Sequence, residues 1–322
     1  AVELLDLAWP QPAEPESPEP DLDSLTADDI AEQLSRAGMF VRGDRISELG
    51  RWIRHIRKSN ATRLIVSLIE DEPYSSSRHA VAAHCAESVS CGAMAIAKAC
   101  GMESVEVLVD GAEMKAYDDL ATMDGITHTA VDVVFPLASK RLLKKLAGDS
   151  IAILDGIVAM QAWELLCGRL SWRGSVVTIA GPNQNSPDVL FVPDGMALRD
   201  VVGDAQGPMI AGGAMRGQLA REASVSSAGM ELICSMDPPR SESMGACIRC
   251  GWCRDHCPAR LNVALLNDCF ELGRIEVAQH YGVERCLACG ACSYVCPSRL
   301  ALRERMSELA EAARRLRRAI AK

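Results

Sequence analysis

Nowhere in this 322-residue sequence is there an uninterrupted apolar run long enough to cross a bilayer. Positive charge is also in deficit. Lysine and arginine number 34 against 43 aspartates and glutamates, a formal net charge of −9, and that balance argues against a general nucleic-acid binder. The first basic residue is Arg36, and the chain before it is acidic and broken by Pro10, Pro12, Pro15, Pro18 and Pro20. This is the composition of a solvated, extended arm. Neither GxGxxG nor GKS/T occurs, so the glycine-rich stretch Gly207 to Gly217 (GPMIAGGAMRG) reads as a tight turn rather than a phosphate loop.

Cysteine is the opposite case, with 14 in the chain. Eight of them form two copies of C-x2-C-x2-C-x3-C-P: Cys247, Cys250, Cys253 and Cys257 before Pro258, then Cys286, Cys289, Cys292 and Cys296 before Pro297. At this spacing the first three thiolates of a run hold one cubane and the fourth ligates the other cluster. The expected sets are therefore crossed: Cys247, Cys250, Cys253 and Cys296 for one [4Fe-4S] cluster, and Cys286, Cys289, Cys292 and Cys257 for the second. Zinc is the bland alternative, but it needs four ligands per ion and does not call for this repeat with its trailing proline. A disulfide framework belongs to oxidising compartments and small secreted domains. The remaining six, Cys85, Cys91, Cys100, Cys167, Cys234 and Cys269, have no metal spacing and read as core or incidental residues.

The rest of the chain has the length and apolar content for two or three domains. Residues 1–25 are the arm. Thr26, with Asp29 three residues on, marks a helix start that runs to about Ala37. Short apolar runs at Arg63–Glu70, Val105–Val109, Ala130–Phe135 and Ile151–Leu154 alternate with helical stretches around His79–Cys100, Leu137–Leu146 and Ile157–Leu166. That alternation predicts a Rossmann-like α/β domain over 26–172, with a parallel sheet covered on both faces. Over 173–240, the strands VVTIAG and VLFVPDG and a short helix at Met196–Val202 suggest a small β-grasp unit followed by the glycine-rich loop. Residues 241–300 form a two-cluster ferredoxin domain. The 28 residues between its runs have apolar positions at helical intervals, with Cys269 among them, so the module is expected to be α-helical. Residues 301–322 form a basic helix, read as solvated, with its cations complementing the helix dipole. A docking surface for an acidic redox partner or an anionic membrane face is the sharper alternative.

This order of parts, ending in CIRCGWC and CLACGACSYVCPSR, resembles the C subunit of the Rnf electron-transport complex and the related cobalamin reductase of propanediol-degrading microcompartments. The likeness spans about residues 26–300. VVTIAG and GGAMRG (Gly212–Gly217) carry it upstream of the cysteines, and it adds an SLBB-like identity to the β-grasp unit. The departures fall on the family's flavin and nucleotide site. AGMFVRGDRIS (Ala37–Ser47) stands where the family has GGAGFPT, EDEPY (Glu70–Tyr74) replaces ECEPY, and FPLASKRLL (Phe135–Leu143) replaces YPQGAEKQL. The expectation is a degenerate site in which FMN and NADH are absent.

The resemblance and the cysteine runs together imply an iron-sulfur subunit that relays single electrons through two [4Fe-4S] clusters, with no catalytic residue of its own. Expected partners are other subunits of a redox complex, a flavoprotein donor or acceptor among them. The expected location is cytoplasmic, with any membrane association peripheral and made through partner subunits. The alternative is an NADH-dependent, FMN-containing reductase of the Rnf C-subunit or cobalamin-reductase type.

Overall fold

The computed structural model describes residues 20–41, 47–112, 125–169, 174–184, 187–203, 207–221, 224–227, 229–237 and 244–320. Most of the acidic arm, Arg42 to Ile46 of the AGMFVRGDRIS stretch, and Asn185 and Ser186 of the polar turn lie outside them. The chain forms two compact units, Ala1–Ala214 with Gln218–Pro238, and Met215–Gly217 with Pro239–Lys322.

The first unit begins at α1 (Ala27–Arg36), where the Thr26 hydroxyl accepts from the Asp29 N–H and the Asp29 carboxylate accepts from the Thr26 N–H, a reciprocal capping box. A small hairpin follows, β1 (Phe40–Val41) against β2 (Ser47–Glu48), and leads into α2 (Leu49–Arg57). Next come β3 (Arg63–Ser67), α3 (Ser77–His84), α4 (Ala86–Cys100), β4 (Ser104–Asp110), β5 (Ile126–Val131), α5 (Lys140–Ala147), β6 (Ile151–Asp155) and α6 (Gly156–Leu166). The four strands pair in parallel in the order β5-β4-β3-β6. Alternate residues of β3 enter different cores. Leu64 and Val66 join the large cluster that includes α4 and α6, while Ile65 joins Leu108, Ile153 and Leu143 of α5 on the opposite face. Both faces are thus covered, as the near-continuous apolar strands require.

Three local expectations shift. The third strand runs Ile126–Val131, not Ala130–Phe135, because its pairing with β4 starts at Val105↔Ile126 and uses the β-branched Thr127 and Thr129. Helix α5 starts only after the turn containing Pro136, at Lys140. The helical stretch around His79–Cys100 is two helices bent by 97° at Cys85; both pack on α6, but α3 also meets the second sheet while α4 meets β3 and β4. Gly92 permits the close crossing of α4 and α6, since a Cβ there would stand 1.8 Å from the Ala159 carbonyl oxygen. No single described helix is long and apolar enough to cross a membrane.

The second sheet contains β7 (Gly174–Ala180), β8 (Asp188–Pro193), β9 (Met209–Ala211), β10 (Gln218–Leu219) and β11 (Leu232–Ser235), with the short α7 (Leu198–Val202) after β8. Its order is β10-β9-β11-β7-β8. β7 and β8 are an antiparallel hairpin, and β11 returns parallel to β7. Val176 and Val189 of this sheet belong to the large core of the first sheet.

Buried Arg78 ties these parts together. Its guanidinium donates to both carboxylate oxygens of Glu231 at 2.8 Å, bonds Asp155 through Nε and Nη2, and lies 3.6 Å from Glu70. Burial alone would favour the neutral arginine, but Asp155, Glu231 and Glu70 outweigh it and hold the proton firmly. Glu70 accepts from the backbone N–H groups of Arg78 and His79 at 2.7 and 3.0 Å. Its pKa is nevertheless raised, with burial outweighing Arg78.

The second unit is helical: α8 (Trp252–Asp255), α9 (Val263–Glu271), α10 (Ile275–His280), a 3-10 turn at Val283–Arg285, α11 (Ala291–Tyr294) and α12 (Leu302–Ile320). The connection between the cysteine runs is helix, and Cys269 is buried in its core. Helix α12 is not wholly solvated. Leu302, Met306, Leu309, Ala310 and Ala313 recur at helical spacing and bury against α9, α10 and the 3-10 turn, leaving Arg315, Arg317 and Arg318 outside.

Replacing Arg78 by Met leaves three buried carboxylates without their cation, and a loss of about 3–5 kcal/mol in unfolding free energy is expected near neutral pH. The deficit should shrink as pH falls, since protonation removes the unpaired charges and Glu70 titrates above its ordinary value. Denaturant unfolding at several pH values measures both.

Candidate metal centres

Each cysteine run is a tight loop ending in a single helical turn. In both, the residue before the second cysteine is left-handed, Arg249 at φ 55° and Ala288 at φ 52°, and so is the residue after the Pro-x pair, Arg260 at φ 53° and Arg299 at φ 55°. Non-glycine residues in this region carry a strain of about 1–3 kcal/mol each, which persists only where the surroundings impose it. Backbone N–H groups turn toward sulfur as a result. The Ala288 N–H donates to Cys286 Sγ and the Leu261 N–H to Cys257 Sγ, both at 3.4 Å.

The loops wall two hollows open to solvent, with about 370 and 360 Å³ of atom-free space counted out into that solvent. Cys247, Cys250, Cys253 and Cys296 line the first, and Cys257, Cys286, Cys289 and Cys292 line the second. The fourth cysteine of each run therefore faces the hollow of the other run. Among the described residues, no three His, Cys, Asp or Glu side chains converge as closely as one metal ion requires. The thiols stand around a space instead.

The likeness of the two sites goes beyond the cysteines. The runs are 39 residues apart, Cys247 to Cys286, and every residue lining one hollow has its counterpart at that offset in the wall of the other. Leu261 and Val263 line the second hollow as Leu300 and Leu302 line the first, and Ala264 and Asn267 line the first as Arg303 and Met306 line the second. The first turns of α9 and α12 thus stand between the hollows, and the unit has an internal pseudo-twofold arrangement. The sequence signal for it is the PARL and PSRL that follow the fourth cysteines. The apolar spacing of α12 is a second signal, masked by its arginines.

Burial raises the Cys253, Cys286, Cys289 and Cys292 thiols. Cys253 is pushed up by burial and then by Cys250, Cys247 and Cys296, and Cys292 reaches about 12 through burial and then Cys286, Cys289 and Cys257. Cys289 is also raised by burial, with the Arg216 guanidinium acting against it. Without a cation to offset their charge, four thiolates could not share either hollow. A metal group that takes up that charge fits this donor set, and binding it would release protons.

Asn267, fully buried beside the first hollow, accepts from Arg305 at 2.7 Å and donates to Glu271 at 3.1 Å. Near the second hollow, Gly290 meets the segment Met215–Gly217: a Cβ on it would lie 2.5 Å from the Met215 carbonyl oxygen. The Met215–Gly217 part of GGAMRG is thus packed closely on the second cysteine run, beyond the tight turn read from its glycines.

Residues 241–297 match the 4Fe-4S dicluster domain family. Two curated relatives from Rhodobacter capsulatus, each named as the C subunit of an ion-translocating oxidoreductase complex, are 26% identical over 288 residues, covering 81% of this chain and 55% of theirs. The resemblance to the Rnf C subunit read from the motifs is borne out. The chain spans about half the length of these relatives. In fold it is similar to crystal structures of an NAD+-reducing [NiFe]-hydrogenase in the H2-reduced and air-oxidized states. Both superpose with a TM-score of 0.56, at 15% and 14% identity, over 92% of this chain and 59% and 57% of theirs.

Gly251 and Gly290 occupy equivalent left-handed positions, φ 85° and 88°, so alanine at either carries the same backbone strain. Nothing lies within 4 Å of a Cβ at Gly251, unlike Gly290. Gly290→Ala is expected to destabilise the protein by about 1–3 kcal/mol more than Gly251→Ala through overpacking, as read from their thermal or denaturant midpoints.

Proposed function

We propose that the chain is the electron-transfer subunit of an Rnf-like redox complex and relays single electrons through two [4Fe-4S] clusters. Cys247, Cys250, Cys253 and Cys296 hold one, and Cys257, Cys286, Cys289 and Cys292 hold the other. The observation that carries this reading is the exchange of fourth cysteines between two hollows with equivalent walls. The two complete C-x2-C-x2-C-x3-C-P runs support a cubane over zinc, which needs four ligands per ion and does not call for this repeat. When bound, such clusters accept and release one electron each. The chain's own groups supply thiolates, N–H donors to sulfur and the apolar walls of α9 and α12, and these set the potential. The name of the curated relatives, a subunit of an oxidoreductase complex, supports a role among partner subunits.

The chain divides into a Rossmann-like domain over 26–172, a β-grasp (SLBB-like) unit over 173–240 and the cluster domain over 241–300 with its basic helix at 301–322. The β7–β8 hairpin, α7 and a β11 parallel to β7 support the β-grasp identity. The Rossmann-like domain acts without FMN or NADH of its own. Where the related proteins have a glycine loop, Met39 and Val41 send their side chains into the core, and the first-turn N–H groups of Arg78 and His79 are taken by the Glu70 carboxylate. A phosphate needs such donors at close range. Electrons therefore come from or go to a flavoprotein partner, and any membrane association is peripheral, on the cytoplasmic face.

Anaerobically purified protein should contain about eight irons and eight acid-labile sulfides per chain, no stoichiometric FMN, and no NADH oxidation until a flavoprotein is added. Four irons would overturn the two-cluster assignment. One FMN per chain, or reduction of the clusters by NADH alone, would favour the NADH-dependent reductase instead. The reduced-state spectrum of Cys257→Ala should match that of Cys289→Ala and differ from that of Cys250→Ala; the reverse pattern would mean that each run ligates its own cluster.

A further inference from the structure

The pseudo-twofold relation makes each site a control for the other, and two equivalent pairs exchange arginine for alanine: Arg249 with Ala288, and Ala264 with Arg303. Ala264 lines the first hollow where Arg303 lines the second. Arg303 is well buried for an arginine, its side chain 22% exposed. Its backbone N–H donates to Ser293 Oγ at 2.8 Å, on the helical turn that carries Cys292. Its Nη1 donates to the exposed Glu304 at 3.2 Å. Its Nε is buried and has no hydrogen-bond partner.

A buried N–H without a partner is unfavourable, and in the wall of a ligand hollow it implies an acceptor on the ligand. The second hollow offers the sulfurs of its four cysteines and, once a cluster is bound, would offer inorganic sulfides as well. We infer that Arg303 donates from Nε to sulfur of the cluster held by Cys257, Cys286, Cys289 and Cys292 and makes it the more easily reduced of the two. This rests on the two-cluster reading. Reduction adds one electron to the cluster, so a fixed cation and a donor to its sulfur stabilise the reduced form over the oxidised one.

Charges near the first hollow do not match this. Arg249 is 74% exposed and paired with Asp268 at 3.1 Å. Arg305 stands behind Asn267 and is offset by Glu271 at 2.7 Å. An electron entering the pair therefore comes to rest in the second hollow, which gives the relay a direction.

The test is a redox titration of the intact, cluster-loaded protein followed by EPR, beside Arg303→Met and Arg303→Lys. Arg303→Met keeps an unbranched apolar stem and removes both charge and donor. It should lower the potential of the higher-potential cluster alone, reducing its reduced-to-oxidised ratio at fixed ambient potential about tenfold, or 59 mV for one electron. Arg303→Lys should shift it less in the same direction. In unaltered protein labelled with ¹⁵N-arginine, the cluster that reduces first should show hyperfine coupling to an arginine nitrogen, a readout independent of whether either variant assembles. Two clusters whose potentials move together or not at all, or no arginine coupling to the first-reduced cluster, would overturn the inference while leaving the relay intact. Fewer than two reducible clusters in unaltered protein would overturn both.

Discussion

In each cysteine run a proline-ended turn carries the fourth thiol away from its three companions and into the wall of the other run's hollow. Neither hollow can then collect four thiols unless both runs are in place. The connection between the runs must bring them face to face, which is the work of α9 and α10. The chain after the second run must close the far side, which is the work of α12. Leu261, Val263 and Leu266 meet Leu300, Leu302 and Met306 in one core, so the packing of this unit and the grouping of its cysteines are a single arrangement. The strained left-handed residues at Arg249, Ala288, Arg260 and Arg299 belong to it as well, since loops this short can aim N–H groups at sulfur only by such backbone turns.

The first unit is held by a different device. Arg78 gathers carboxylates from the loop after β3, from the end of β6 and from the approach to β11. A buried arginine with this many partners is strongly destabilising to break, though not necessarily more stabilising than an apolar substitute. Met39 and Val41 are buried in the large apolar core of the same unit. The unit keeps its parallel sheet and two covered faces, and these residues contribute to packing.

Much of this is legible in the sequence because it depends on local spacing. The capping pair Thr26 and Asp29, the apolar runs at Arg63 and Ile151, and the helical connection with Cys269 in its core follow from periodicity. The strand at Ile126 escapes a reading of apolar runs because its half-polar residues, Thr127 and Thr129, are chosen by a neighbouring strand rather than by their own pattern. The bend at Cys85 is hidden because no proline or glycine marks it, and what parts α3 from α4 is what each packs against. Arg303 looks in the sequence like one more solvated cation of a basic helix. Its place in a hollow wall depends on the repeat extending past each proline-ended turn, through helices whose sequences differ at Ala264 and Arg303, and at Asn267 and Met306.

The claim on which the rest depends is that two cubanes share their cysteines across the runs. Anomalous scattering at the iron edge from crystals of anaerobically prepared protein tests it most directly. The account predicts a four-iron cluster in each hollow, with Cys257 bonded to the iron of the Cys286, Cys289 and Cys292 set, and Cys296 to that of Cys247, Cys250 and Cys253. A single ion in either hollow, or each fourth cysteine bonded within its own run, would contradict it.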